Sequence, residues 1–116
     1  MIPFQTEEAA CFDVLSILEI KLDKFPDSKV VRDNYYRTYD DLENLLGQQK
    51  FRDIISSFEY EDLKNVNILT FNAVDKARNN EEITAKEVDS LNMERFYAKK
   101  ALQKKFFTEE LKEFKN

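Results

Sequence analysis

The chain has 116 residues, 42% of them hydrophobic and 35% charged, with a net charge of −5, a single glycine, a single cysteine and no histidine. This length suits one domain, residues 1–116, with a substantial hydrophobic core, and its acidity opposes broad binding to nucleic-acid phosphates. Without histidine there is no Ser-His-Asp or Cys-His catalysis and hardly any route to a structural zinc site, and one glycine cannot build a phosphate-cradling loop.

So few glycines also disfavour hairpins, which need positive φ at their turns. Helices joined by short polar loops are expected instead. The first, over about 6–25, has Thr6 as N-cap followed by Glu7 and Glu8 against the helix dipole. Its seam is Cys11, Leu15, Leu18, Leu22 and Phe25, with Asp13, Ser16, Glu19 and Asp23 on the wet side. Cys11 is therefore expected to be a buried, inert thiol. Pro26 ends the helix by pushing Phe25 out of helical geometry.

The second helix, about 28–46, is capped by Asp27 or Ser28 and buries Val31, Tyr35, Leu42 and Leu45. Tyr35 and Tyr39 fit the core with their hydroxyls at its rim, and Tyr36 points outward. Gly47 follows at the position of a left-handed C-terminal cap. A short helix near 50–58 presents Phe51, Ile54, Ile55 and Phe58. The third long helix, about 61–79, carries Leu63, Val66, Thr70, Ala73, Val74 and Ala77 as its seam, and residues 79–82 form a polar loop.

The last helix, about 84–115, opens with a capping box, Thr84-x-x-Glu87, flanked by Ile83 and Val88 at hydrophobic-staple positions. It has two apolar faces. Val88, Leu91, Arg95, Ala98, Leu102 and Phe106 share one; Met93, Phe96, Tyr97, Phe107, Leu111 and Phe114 share the other. A break near Phe107-Thr108 is expected. The whole reads as an all-α, up-down bundle of four main helices.

Arg95 interrupts the bundle-facing stripe, where an unpaired charge costs several kcal/mol. A hairpin turning at residues 81–82 brings it level with Asn67, the predicted buried polar partner. Charge is unevenly spread. Residues 1–62 hold 14 acids against 7 bases, and residues 95–116 hold 3 against 7, an asymmetry that steers one part of a chain, or one subunit, towards another. Lys99, Lys100, Lys104 and Lys105 are scattered around the helix at 100° per residue, so they form no nucleic-acid stripe.

Asp40-x-x-Glu43 and Glu59-x-x-Asp62 each place two acids on one helix face. Facing each other, they would offer hard oxygen ligands to Mg²⁺. This spacing resembles that of all-helical nucleoside triphosphate pyrophosphatases of the MazG type, although Asp40 stands where that family has Glu. The resemblance implies magnesium held against a triphosphate by Asp40, Glu43, Glu59 and Asp62.

The principal expectation is a different one: a cytoplasmic, non-enzymatic bundle that works by protein association and needs no cofactor. It is a homodimer through the last helix, with Met93, Tyr97, Phe107, Leu111 and Phe114 as interface residues. No secretory signal is read at Met1–Glu8, and no apolar run approaches the roughly 18–20 residues that span a bilayer. Neither nucleic-acid nor membrane partners are expected.

Overall fold

The computed structural model describes residues 7–80 and 82–115, with side chains described as far as Phe107. Its elements are α1 (Glu8–Lys24), α2 (Lys29–Leu46), α3 (Gln48–Ile55), α4 (Phe58–Arg78) and α5 (Ala85–Lys115). The expected all-α bundle is present: α1 and α4 run one way, α2 and α5 the other. The short α3 bridges α2 to α4. No helix among the described residues is long and apolar enough to cross a membrane.

Local chemistry sets the boundaries. Ser28 Oγ accepts the Val31 N–H at 3.3 Å, which makes Ser28 the cap of α2. Ser57 does the same for α4 through the Tyr60 N–H at 3.1 Å, so this helix starts earlier than its apolar seam suggested. Thr84 Oγ1 accepts the Glu87 N–H at 3.1 Å and opens α5. Gly47 joins α2 to α3 with φ 89° and ψ 153°. The expected positive φ is there, but ψ lies in the extended region open essentially to glycine alone, not in the left-handed helical well. The predicted Thr6 cap lies outside the described residues. The start of α1 is secured from another helix instead: the Ala9 N–H donates to Gln103 Oε1 at 2.9 Å, and Gln103 Nε2 donates to Glu8 at 2.9 Å.

The central helix is α1, which packs against α2, α4 and α5. Its buried residues are Ala9, Phe12, Asp13, Leu15, Ser16 and Ile20, an arc of about 160° at 100° per residue. Of the predicted seam, Leu15 is buried and Leu18 and Leu22 are partly buried, but its two ends are not, and Phe25 is exposed. Cys11 lies outside the arc and is an exposed free thiol, while Asp13 and Ser16, assigned to the wet side, are buried. Phe12 forms the hub, with ring centroids 6.1 Å from Phe51, 6.3 Å from Tyr60 and 6.4 Å from Phe107. Leu15, Ile54, Leu63, Ala98 and Leu102 complete the surrounding core.

Other placements also differ. Leu45 is exposed because α2 meets only α1 and α3 along this stretch, and Phe58 is exposed at the first residue of α4. Val74 and Ala77 lie where α4 runs out past the core, so that end of its seam is open. The last helix continues unbroken from Ala85 to Lys115, without the expected interruption near Phe107-Thr108.

The charge asymmetry is used within the chain. Lys100 pairs with Glu7 at 2.8 Å and Lys105 with Glu59 at 3.0 Å, so basic side chains of α5 meet acids of the first half. Lys64–Glu19 and Lys24–Asp75, both at 3.1 Å, tie α4 to α1.

Candidate functional site

Two places stand out: a buried polar network with a groove beside it, and the outer side of α5. In the first, Asp13 accepts from two helices. Arg95 donates through Nε to Oδ1 at 3.3 Å and through Nη2 to Oδ2. Asn67 Nδ2 donates to Asp13 Oδ1 and to Ser16 Oγ, both at 2.8 Å. Ser16 Oγ in turn donates to the Asp13 backbone carbonyl at 2.8 Å. The Asp13 side chain is 7% exposed and Arg95 31% exposed. Arg95 and Asn67 are thus brought to one place as the spacing predicted, but through Asp13, which links them.

Sequence reasoning missed Asp13 as a partner. The signal was present: in the run Ala9–Leu18, only Asp13 and Ser16 interrupt apolar and small side chains. Among the described residues, no buried side-chain nitrogen or oxygen lacks a hydrogen-bond partner. The buried atoms of the network are thus all paired, and Arg95 is the member that stays partly open to solvent.

A groove of about 610 Å³ adjoins it between α1, α4 and α5. Ile17, Phe71 and Val74 give it an apolar wall, and Lys21, Lys24, Arg78 and Arg95 give it cations. Lys21 and Lys24 stand in the last turn of α1 and Arg78 in that of α4. Those cations offset the negative ends of two parallel helix dipoles, Lys24 is already paired with Asp75, and Arg95 is neutralised by Asp13.

Tyr35, Tyr39 and Tyr60 pack in or against the core. Tyr39 packs edge-on to Phe51 at 4.7 Å, and Tyr36, as predicted, is exposed. Tyr60 Oη donates to Glu19 at 2.9 Å; burial, then the adjacent Glu19 charge, pushes its pKa well above that of ordinary tyrosine. Tyr35 is pushed up to about 12, first by burial and then by Glu19.

The four candidate metal ligands are not gathered. Among the described residues no three His, Cys, Asp or Glu side chains stand close enough to hold a metal ion. Asp40 is exposed on α2. Glu59 is taken up by Lys105, whose hydrogen bond lowers the Glu59 pKa below its ordinary value.

The outer side of α5 is the remaining feature. Tyr97 is 62% exposed, Met93 54% and Phe96 49%, and the Phe96 and Tyr97 rings meet at 5.6 Å. Phe107, placed by its spacing on this same face, is instead buried against Phe12, because α1 crosses over α5 at this level. It is therefore withdrawn from the interface set. The side chains of Leu111 and Phe114 lie outside the described residues. No protein-family model, curated protein or solved structure matches the chain.

Proposed function

We propose that this protein is an association module that pairs with a second copy of itself through the outer side of α5. The observation that carries this reading is the patch formed by Met93, Phe96 and Tyr97. All three are about half exposed or more, and they are neighbours on one helix. Covering the part of each side chain that is still in water would gain about half of the roughly 1.5–3 kcal/mol that full burial of such a side chain is worth. Methionine and aromatic residues are also the types enriched in the cores of protein interfaces. The buried polar network and the pairs made by Lys100 and Lys105 hold the fold together within the chain.

The test is light scattering coupled to size exclusion, over concentrations from micromolar to millimolar. The expected result is a dimer that Met93→Lys combined with Tyr97→Lys converts to monomer, with helical circular dichroism unchanged. A mass that stays monomeric throughout would sink the reading.

A further inference from the structure

On α5, Lys86, Asp89, Met93, Phe96 and Lys100 follow one another at three- and four-residue steps, the spacing of a coiled-coil seam. At 100° per residue these five lie within about 50° of the line opposite Leu91, Ala98 and Leu102, which face the bundle. All five are exposed. The stripe is therefore a second seam on the outer side of α5, which the start of α1 reaches only at its last position, where Glu7 pairs with Lys100.

Its order of charges is self-complementary. Read from the start it runs negative, apolar, apolar, positive from Asp89 to Lys100, with Lys86 ahead. We infer that two copies pair antiparallel along this stripe about a two-fold axis between Glu94 and Arg95, with Asp89 of each facing the partner's Lys100. This inference rests on the self-association proposed above and specifies its geometry.

The register follows from the sequence positions. In an antiparallel seam, residues whose numbers have a constant sum lie level. Placing Met93 against the partner's Phe96 places Asp89 against the partner's Lys100 and Lys86 against the partner's Gln103. The apolar centre then comprises two Met93 and two Phe96 side chains, flanked by the two Tyr97 rings. An oppositely charged pair closes each end. Such a contact is isologous, as a two-fold axis requires, and it terminates without leaving a patch for a third copy.

A parallel in-register pairing fares worse. It sets Asp89 against Asp89 and Lys100 against Lys100, and like charges across an interface are costly. The intrachain contacts of Lys100 do not compete: its ammonium lies 5.6 Å from the centre of the Phe96 ring on the same stripe, Glu7 and Lys100 are each about half exposed, and an acid on either side of one ammonium is favourable. Gln103 is likewise held by Glu8, so the partner's Lys86 arrives beside an acid. The seam ends past Lys100 for a visible reason, since Phe107, two steps on in the same spacing, is already spent on Phe12.

The experiment is disulfide crosslinking of the full chain carrying Cys11→Ser, so that the only thiols are those introduced. Asp89→Cys and Lys100→Cys chains leave Met93 and Phe96 intact. The two are mixed and exposed to a mild oxidant, with light scattering run in parallel on Cys11→Ser alone. The expected result is a mixed 89–100 disulfide that exceeds either same-site disulfide by at least tenfold. Same-site crosslinks dominating, with the dimer mass retained, would overturn the antiparallel register and keep the dimer. A dimer that gives none of these crosslinks would move the interface off this stripe. A monomer at every concentration would overturn both the register and the self-association beneath it.

Discussion

Asp13 is the residue on which the interior most depends for its polar order, because it is buried and its partners come from two other helices. Replacing Arg95 by Met should leave that carboxylate with Asn67 alone. Removing one partner of a buried pair costs about 3–5 kcal/mol. With Arg95 partly open to solvent, the lower half of that range is expected in urea unfolding. The double variant Asp13→Leu/Arg95→Met should cost less than the sum of the two single changes, which a double-mutant cycle measures directly. Tyr60 and Tyr35 carry the pH dependence at the alkaline end. Both hold their protons in the folded state beyond the ordinary tyrosine value of 10. Stability from this source is thus intact below 10 and is lost as pH rises from 10 through about 12, because the unfolded chain releases protons that the folded chain keeps. Tyr60→Phe should flatten that loss in thermal melts taken across the alkaline range. At this scale Arg95 and Asn67 were legible, since a charge in an apolar stripe demands a neighbour. Asp13 was legible only as one of two polar breaks in the run Ala9–Leu18, since a single carboxylate there does not itself say whether it faces water or a distant arginine.

The helices themselves were legible to within a few residues, since proline, glycine and serine punctuate the chain where helices must stop and start. Gly47 shows why. At φ 89° it has no atom within 4 Å of where a Cβ would stand, so the obstacle to a side chain is the backbone conformation rather than space. Gly47→Ala should cost about 1–3 kcal/mol, the range for a residue held in a sparsely populated region, measured by thermal or chemical denaturation. Which side each helix buries was less legible. A helix with one neighbour shows one stripe, but α1 has three neighbours, and its wide arc includes two polar residues that break the apolar period. On α5 the reverse occurred: Phe107 fits the outer stripe by spacing, yet α1 crosses there and buries it. Such crossings belong to tertiary packing and leave no mark in local periodicity. Leu102, fully buried among α1 and α4 residues, should lose about 2–5 kcal/mol on truncation to Ala, far more than Met93→Ala on the outer side, if the two faces differ as described.

Over the whole molecule, the long axis reaches 53 Å against 34 and 30 Å across. The 31 residues of α5 alone account for about 46 Å of helix. The body around Phe12 gathers all five helices, whereas the hairpin of α4 and α5 beyond it has few neighbours and leaves Leu69, Val74, Val88 and Met93 exposed. Fold and association thus use different parts of one helix: Ala98, Leu102 and Phe107 hold the bundle together, and Met93, Phe96 and Tyr97 remain available. Sedimentation equilibrium of the intact chain tests this division most directly. The average mass should climb from 13.8 kDa towards twice that value as concentration rises, and Met93→Lys with Tyr97→Lys should hold it at the lower value without loss of helix. A wild-type mass fixed at 13.8 kDa at every concentration would contradict the account.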